Sequence, residues 1–332
     1  MTEQSAAAQE DREIVRYIQY STKKRNYDNI SRTESYRTYY NRNKDIQWSF
    51  LASMVSRNAG WCMTDLKGTW YRKFLSAEER ESIFYAYEAA NFLIFSDAYP
   101  QLLLYEYSLK AGKPFFYLLS HFNVSMFMVN EWNFYWKHQD KARLMTSLII
   151  NEQHVIQKPV LEGLYFKKHV FSTSKFLFQD TFHFSTVIFP VLHKKLYGIT
   201  VNEFKNPKKR ISLGKKLAWL LFHPLYYSQF KEFSDTVVHT GSRFDYERVL
   251  KSTHRRTTPM LRTAYGAVST NIDDYKADWF HGQNVAKFRR AEAAPKKFEI
   301  TDWYHQKQNQ LHILALCDEY WKYVSHRDKK KD

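Results

Sequence analysis

The chain has 332 residues, 44% of them hydrophobic and 17% aromatic, which is enough apolar material for one large core or for two closely packed lobes. Its 9 glycines and 8 prolines are too few for the many turns of a sandwich or barrel of short strands, so the composition favours long helices. A formal net charge of +16 is explained either by a solvated basic surface or by an anionic partner, such as nucleic acid, anionic lipid or a phosphorylated ligand.

Cysteine usage and hydropathy indicate a cytoplasmic protein. The two cysteines, Cys62 and Cys317, lie far apart and form no CxxC or metal-type spacing, which is typical of reduced thiols in the cytosol. The first dozen residues contain no apolar signal core, and polar residues interrupt the two most apolar stretches, 115–136 and 176–192. We therefore expect a cytoplasmic location and no transmembrane segment.

In chain order, the predicted elements begin with a partly disordered segment over 1–20, in which the first ten residues are disordered and a helix starts near Glu10. The sequence Ser31-Arg32-Thr33-Glu34 matches a capping box and predicts a helix that buries several tyrosines. These are Tyr36, Tyr39 and Tyr40. The next predicted helix covers about 45–59 and is closed by Gly60 as a left-handed cap.

Later capping signals predict further helices. A second capping box at Ser76 opens a helix through Phe95, and Ser96 with Asp97 then caps another helix that carries Pro100 in its first turn. The remaining predicted helices cover 114–138, 140–157, 174–197, 215–240 with a kink at Pro224, and 301–325. An exposed loop is expected over 199–214, and the stretch 251–300 is the least regular.

Together these elements predict an all-α protein, a large helical array in one domain or in two closely packed helical lobes. The helical domain would cover residues 21–325, with a possible lobe boundary near 157–160 at the Gln-Lys-Pro sequence. Residues 326–332 form a charged tail.

A stripe of serines marks the helix over 45–59. The spacings of four and three residues place Ser49, Ser53 and Ser56 on one helical face. The stripe leads into Arg57 and Asn58, and Asp65 follows after the turn. This set forms either a polar wall whose arginine clamps an anion, or a surface of small residues that lets two helices pack closely.

Glutamates on four predicted helices raise the possibility of a carboxylate metal site. They are Glu88, Glu106, Glu131 and Glu152. Such sites also need two Glu-x-x-His pairs, but Glu152 and His154 lie about 200° apart on a helix and cannot share a metal. Asp180 and His183 have the right spacing but stand alone. The weak metal candidates are therefore Glu131, Glu152, Asp180 and His183, and these glutamates are as readily explained by solvent or ion pairs.

The run from His239 to Glu247 is dense in polar groups of catalytic type. One interpretation is that the run ends one helix and starts the next, with Gly241 as a left-handed cap and Ser242 and Asp245 as a capping box. Capping does not explain Arg243 or Glu247. Together with the serine-striped helix over 45–59, the run from His239 to Glu247 therefore forms a candidate ligand-binding pocket. Its residues are Ser53, Arg57, Asn58, Asp65, His239, Arg243, Asp245 and Glu247.

Motifs for known catalytic machinery are missing from the sequence: it has no HExxH, GxSxG, Walker loop or GxGxxG, and we expect no cofactor. Basic residues do interleave with tyrosines near the N-terminus, in Lys23-Lys24-Arg25-Asn26-Tyr27 and in Tyr36-Arg37-Thr38-Tyr39-Tyr40. Exposed rings in such runs would stack on single-stranded nucleic acid, whereas rings at helical spacing are more often core.

Two runs of the sequence resemble the YppC-like family of Gram-positive bacteria. They are the run from Trp48 to Leu66, with its Ser-Arg-Asn-Ala-Gly-Trp and Met-Thr-Asp-Leu elements, and the run His-Thr-Gly-Ser-Arg-Phe-Asp-Tyr-Glu from position 239. The resemblance covers most of the chain beyond about residue 20. It implies a bacterial, helical, cytoplasmic protein and brings no activity, because the family is one of unknown function.

Two hypotheses about function follow. The first is a non-enzymatic or regulatory binding protein with an anionic partner, either nucleic acid or a phosphorylated ligand. The alternative is an enzyme or small-ligand-binding protein with a polar pocket inside the helical array, in which the segments near 57 and 243 must meet. Peripheral membrane attachment is a third possibility, although no segment separates basic and aromatic faces cleanly enough to favour it.

Overall fold

The computed structural model describes residues 3–162, 186–201, 203, 205–250, 257–266, 268 and 278–328. Over these residues the protein is predominantly helical, which confirms the predicted fold class. The first seven α-helices are α1 (Glu3–Arg25), α2 (Asn29–Arg42), α3 (Gln47–Asp65), α4 (Tyr71–Phe74), α5 (Ala77–Ala111), α6 (Met126–His138) and α7 (Lys141–Val155). The later ones are α8 (Pro207–Leu221), α9 (Tyr227–Thr236), α10 (Phe244–Leu250), α11 (Leu261–Ala264) and α12 (Thr301–Asp328).

Shorter elements complete the described fold. Two 3₁₀ helices cover Phe116–Phe122 and Ala286–Phe288, and one π-helical turn, Gln157–Leu161, follows α7 directly. Strands β1 (Thr186–Pro190) and β2 (Leu196–Thr200) form an antiparallel hairpin in which Thr186 faces Thr200. The core is rich in aromatic residues, and Trp48, Trp61 and Trp132 are all fully buried.

The N-terminal segment differs from the sequence expectation. The structure has a continuous helix from Glu3, whereas the first ten residues were expected to be disordered. Three consecutive alanines, 6–8, explain the early start because alanine has the highest intrinsic helix propensity. Helix α2 also starts earlier than predicted, since Asp28 rather than Ser31 caps it and accepts the amide of Ser31 at 2.7 Å.

Helix α3 does not end at Gly60, and the predicted left-handed cap is wrong. The helix continues to Asp65, and Gly60 lies inside it. A Cβ atom at position 60 would lie 2.4 Å from Oδ1 of Asn29 and 3.0 Å from the ring of His239. The glycine is therefore needed for a close approach between α3, α2 and the 239 segment.

The serine stripe of α3 faces α2. Ser53 Oγ donates to the Thr33 carbonyl at 3.0 Å, and Ser56 Oγ accepts from Thr33 Oγ1 at 2.8 Å and from Asn29 Nδ2 at 3.1 Å. These bonds favour the packing interpretation of the stripe, because small polar residues let the two helices approach and satisfy their own hydroxyls across the interface.

Helix α5 confirms one predicted boundary and contradicts another. Ser76 and Glu79 form the predicted capping box, with Glu79 N to Ser76 Oγ at 3.1 Å and Ser76 N to Glu79 Oε2 at 2.7 Å. The predicted break near Ser96 is wrong, because α5 runs on through Pro100 to Ala111. Burial of the residues on both sides of the proline outweighs the lost backbone bond.

The region after α7 departs most from the prediction. The helix expected over 174–197 is wrong from Thr186, where the hairpin begins, and its part over 174–185 lies outside the described residues. Both strands are rich in β-branched and aromatic residues, which suit a half-buried pleated surface. The loop expected over 199–214 is wrong from Pro207, where Asn206 caps α8 and proline occupies its first turn.

Proline and a 3₁₀ segment divide two other predicted helices. The helix expected over 215–240 is divided into α8 and α9, with Pro224 in the turn between them. The aromatic helix expected over 114–138 is a 3₁₀ helix followed by α6, and Asn123 between them adopts the left-handed conformation.

Candidate functional site

The structure brings the two predicted polar runs together. The C-terminal half of α3 packs beside the segment that leads into α10, and both are buried. Arg243 Nε donates to Asp65 at 2.9 Å (Oδ1) and 2.8 Å (Oδ2), and its Nη2 bonds the same carboxylate. Burial opposes both charges, but Asp65 outweighs it and raises the pKa of Arg243, so the arginine remains charged.

Three donors hold Asp245. Its carboxylate accepts from Thr240 N at 2.9 Å, Thr240 Oγ1 at 2.5 Å and Trp61 Nε1 at 3.4 Å. Burial acts to raise the pKa of Asp245, but the hydrogen bonds from Thr240 act against it, and the pKa is lowered. Asp245 is therefore a buried anion.

His239 is bonded to α2. Asn29 donates its Nδ2 to Ser56, so its Oδ1 must accept the proton that His239 Nε2 carries, at 2.9 Å. Burial lowers the pKa of His239 despite the nearby Asp245 carboxylate. The neutral imidazole thus connects α2 to the segment before α10.

Arg57 is a buried cation. Its side chain is 2% exposed, its Nη2 donates to the Val237 carbonyl, and its guanidinium lies 4.8 Å from the Phe233 ring centroid and 5.9 Å from that of Trp61. Among the residues that the structure describes, no carboxylate lies within ion-pair distance of Arg57, and its Nε has no hydrogen-bond partner. Burial lowers the pKa of Arg57 to about 10.

The other predicted pocket residues make structural contacts. Glu247 accepts from the Tyr304 hydroxyl at 2.6 Å, which connects α10 to α12. Asn58 Oδ1 accepts the Ile188 amide at 3.0 Å, and its Nδ2 donates to the Thr186 carbonyl at 3.4 Å, which attaches β1 to α3. We call the set Arg57, Asp65, His239, Arg243, Asp245 and Glu247 the buried polar network. Among the described residues, cavities of about 340, 170 and 150 Å³ are lined by none of these six side chains.

Ion pairs and a hydrogen bond account for Glu131, the first of the weak metal candidates. Glu131 is ion-paired with Arg143 at 2.8 Å and Arg289 at 2.6 Å and accepts from Ser147 at 2.9 Å. Burial acts to raise the pKa of Glu131, but these partners outweigh it and lower the pKa. Within the described residues there is no group of three or more His, Cys, Asp or Glu that could hold a metal ion.

Glu152 and His154 point to different sides of α7, as their spacing predicts. Glu152 accepts from Trp48 Nε1 at 3.1 Å, and burial raises its pKa to about 7. His154 instead stacks on Trp279, with ring centroids 4.2 Å apart. Asp180 and His183, the last two metal candidates, lie outside the described residues.

The solvent side of α1 carries a second group of charged residues. Arg12, Arg16, Tyr20 and Lys23 are all exposed, and their spacings of four, four and three place them in one stripe. Ile14 and Ile18 occupy the opposite, buried side. Tyr17 and Lys24 flank the stripe, and the three exposed tyrosines Tyr17, Tyr20 and Tyr27 are 60%, 67% and 55% accessible. We call Arg12, Arg16, Tyr17, Tyr20, Lys23 and Lys24 the α1 face.

The cations of the α1 face have no carboxylate within 4.0 Å among the described residues. The nearby acids Glu10 and Asp11 are bonded elsewhere, to Lys113 at 3.5 Å and to the Tyr117 hydroxyl at 2.7 Å. One acid, Glu13, is exposed on the same side of the helix and accepts from Gln9. The α1 face is therefore a strip of largely uncompensated positive charge with rings between the charges.

The two sequence runs that combine basic residues with tyrosines differ in their solvent exposure. In the run from Tyr36 to Tyr40 all three rings are buried, and Arg37 is paired with Glu34 at 2.8 Å and Asp235 at 3.5 Å. In the run from Lys23 to Tyr27 the cations and the ring are exposed. The alternation of basic and tyrosine residues in the sequence identifies this second run but does not include Arg12, Arg16 and Tyr20. Their regular spacing with Lys23 was the available signal.

These features define a predominantly helical protein with an internal polar network and a basic N-terminal helix. The chain belongs to the DUF2515 family, described as proteins of unknown function, whose model matches residues 24–305. It is 50% identical over 311 residues to the uncharacterized protein YppC of Bacillus subtilis (strain 168), which covers 94% of this chain and 97% of that protein. The family resemblance seen in the sequence is thereby confirmed.

Two further comparisons bear on the structure. No solved structure matches the chain. Among the helices over the described residues, none combines the length and the apolar character needed to cross a membrane.

Proposed function

We propose that the protein is a non-enzymatic binding protein for single-stranded nucleic acid and that the α1 face is its contact surface. One observation carries the proposal: two exposed tyrosines lie between two pairs of exposed cations along one side of α1, and these cations have no carboxylate partner among the described residues. Sequence-independent binding of single strands combines these two elements, because cations neutralise phosphates and aromatic rings stack on bases.

The dimensions of the α1 face suit a short length of strand. From Arg12 to Lys24 the helix rises about 18 Å at 1.5 Å per residue. Four of its cations, Arg12, Arg16, Lys23 and Lys24, lie on or beside the stripe. Tyr17 and Tyr20 lie between the two pairs of cations. The phosphates of a strand along the helix would therefore contact cations at both ends, and its bases would stack on the two rings between them.

A membrane surface is a less suitable partner for the same residues. The aliphatic side chains of α1, such as Ile14 and Ile18, are buried against the protein. A helix that binds in a bilayer interface instead presents aliphatic or tryptophan side chains to the acyl chains. The exposed rings here are tyrosines, whose hydroxyls suit a hydrated nucleic acid.

The test is a fluorescence anisotropy titration of the full chain with labelled single-stranded oligonucleotides across a salt series. Release of counterions by four phosphate contacts gives a slope of log K against log salt of about −2.8 for single strands. We expect Arg16→Gln with Lys23→Gln to make this slope shallower by about 1.4. Tyr20→Ala should weaken binding by about 1–3 kcal/mol without changing the slope.

A matched control removes two exposed cations elsewhere. Lys137→Gln with Lys141→Gln, at the turn between α6 and α7, changes the net charge by the same amount. If this control weakens binding as much as the α1 variant, the overall charge and not the α1 face is responsible. Association with anionic vesicles but not with single strands would replace the proposal with membrane attachment, and no salt-sensitive association with either would refute it.

A further inference from the structure

A cavity of about 170 Å³ lies where α3, α5, α7, α8 and strand β1 meet. None of the described residues that line it belongs to the α1 face or to the buried polar network. An apolar cavity of about 150 Å³ can hold a benzene molecule, so this one has room for a substituted benzene ring. We call it the Tyr36 cavity, because Tyr36 forms part of its wall.

Small residues keep the space of the Tyr36 cavity open. Ala52 and Ala59 line it from α3, and Ala90 lines it from α5. Gly214 lines it from α8, and a Cβ atom there would lie 2.7 Å from the Ile149 side chain, so the glycine lets α8 pack closely against α7. Protein interiors contain few voids larger than a water molecule, because each void forfeits packing contacts. A bound molecule would recover the contacts that this space forfeits.

Longer aliphatic side chains complete the wall of the Tyr36 cavity. They are Leu51, Val55, Ile94, Ile156, Val187, Leu213 and Leu217. A wall of this kind favours an apolar ligand, because contact with it removes apolar surface from water.

The two charged side chains of the described wall are bonded within the protein. Glu152 accepts from Trp48 Nε1 at 3.1 Å and from Gln153 Nε2 at 3.0 Å. Arg210 donates its Nε to Gln153 Oε1 at 2.8 Å and its Nη2 to Gln157 Oε1 at 2.6 Å. A charged ligand would lose its hydration without taking over these bonds, so a neutral ligand suits the cavity better.

Tyr36 supplies a polar group that the described structure leaves unpaired. It is 3% exposed, and its hydroxyl has no hydrogen-bond partner. Edge contacts with Trp48, Phe95 and Tyr99 fix the ring, with centroid distances of 5.6, 5.0 and 6.5 Å. Burial, and after it the charge of Glu152, raises the pKa of Tyr36, so the hydroxyl keeps its proton and can donate it. Because an unpaired buried hydroxyl is costly, a ligand that accepts this hydrogen would be stabilised.

We infer that the Tyr36 cavity binds a small, neutral, mainly apolar molecule, the size of a substituted benzene ring, that carries one oxygen acceptor. The oxygen would accept from the Tyr36 hydroxyl, and the apolar body would lie against the aliphatic wall. Such a ligand would both satisfy the buried hydroxyl and fill the space that the small residues leave. The inference is independent of the proposed nucleic-acid binding, which depends on other residues.

The test is a calorimetric titration of the natural chain and of Tyr36→Phe with phenol and with toluene, which have the same number of heavy atoms and nearly the same shape. Phenol has an oxygen that can accept from Tyr36, and toluene has none. Tyr36→Phe should lower the affinity for phenol by about three- to tenfold and leave that for toluene within about twofold. An unchanged phenol affinity, an equal loss for both ligands, or no saturable binding of phenol to the natural chain up to about 5 mM would overturn the inference.

Tyr39→Phe is the matched control. Tyr39 is also fully buried on α2 and also has an unpaired hydroxyl, but it is not among the described residues that line the cavity. This substitution should leave both affinities within about twofold, because it removes the same group outside the site. A loss of phenol affinity equal to that of Tyr36→Phe would contradict the assignment to the cavity.

A second variant fills the Tyr36 cavity. Ala90→Leu adds a larger side chain to the wall and should lower the affinity for both phenol and toluene by about tenfold or more, because the ligand and the new side chain compete for one space. Unchanged affinities in Ala90→Leu would show that the ligands bind elsewhere and that the inference is wrong.

Discussion

The buried polar network and the α1 face are built from similar residues, but the network gives its carboxylates and Arg243 internal partners, with Arg57 as the exception, whereas the α1 face leaves its cations in water. In the network, Arg243 is paired with Asp65, and Asp245 accepts bonds from Thr240 and Trp61. On the α1 face the four cations have no acidic partner among the described residues. Charges that satisfy one another fix the positions of helices, whereas charges left in water are available to a partner. This difference is the reason why we propose a structural role for the first region and a binding role for the second.

The largest expected effect comes from breaking the ion pair of the network. Asp65→Asn should destabilise the protein by about 3–5 kcal/mol in urea unfolding, because Arg243 would be left as an uncompensated buried charge. The double variant Asp65→Asn with Arg243→Met should recover part of this loss, since it removes both charges.

The ion pair between the exposed Arg262 and the partly buried Asp28 is the control for that prediction. Arg262 is more than half exposed, so Arg262→Gln should cost no more than about 1 kcal/mol. If Asp65→Asn were as mild as this control, the network would not be a structural element, and a binding role for its residues would regain support.

Gly60 gives the next effect, because it lies where the network contacts α2. Gly60→Ala would place a methyl group 2.4 Å from Asn29 Oδ1, the acceptor of the His239 bond. We expect a loss of about 1–3 kcal/mol, although alanine is the better helix former by about 1 kcal/mol. Gly266→Ala, where nothing lies within 4 Å of the new atom, is the matched control and should be near neutral. A stabilising Gly60→Ala would show that the three segments are not closely packed there.

His239 gives a smaller effect that depends on pH. Its folded-state pKa is lowered from the ordinary value of 6.5, so the unfolded chain takes up the proton first as the pH falls. The stability that neutral His239 contributes is complete above about pH 6.5 and is lost as the pH falls toward the folded-state pKa. The slope for one such group is at most about 1.4 kcal/mol per pH unit.

The measurement is a comparison of unfolding free energies for the natural chain and His239→Gln between pH 7.5 and 5. In the variant, the unfolding free energy should depend less steeply on pH, because the contribution of His239 is gone. His154→Gln is the control, because His154 also has a lowered pKa but contacts Trp279 and not the network. Identical slopes for the natural chain and His239→Gln would show that His239 does not titrate differently on folding.

Local signals in the sequence were sufficient for much of the fold. The capping box at Ser76 depends on residues three positions apart, and it forms as predicted. The spacing of Glu152 and His154 predicts that they lie on different sides of a helix, and they contact Trp48 and Trp279 respectively. The hairpin that starts at Thr186 was missed, because short apolar runs do not distinguish strand from helix and the hairpin is attached to α3 by Asn58, a contact distant in sequence.

The candidate site was harder to predict because exposure is a property of the packed protein. The sequence offered Arg57 and Arg243 as pocket residues, yet both are buried in the network. It correctly predicted burial of Tyr36 from the helical pattern, but it held no signal that Tyr27 stays in water. Residues of the same type therefore belong to the core in one helix and to the surface in another.

Substitutions on the α1 face should have the smallest effect on stability. They therefore give the clearest contrast with substitutions in the buried polar network. Arg16→Gln with Lys23→Gln removes two exposed, unpaired cations, so the urea midpoint should stay unchanged while the salt slope of oligonucleotide binding becomes shallower by about 1.4. Asp65→Asn with Arg243→Met should show the reverse, a lower midpoint with an unchanged salt slope under conditions where it is folded. If the α1 variant unfolds more easily and the network variant loses binding, the assignment of binding to the surface and structure to the interior must be exchanged.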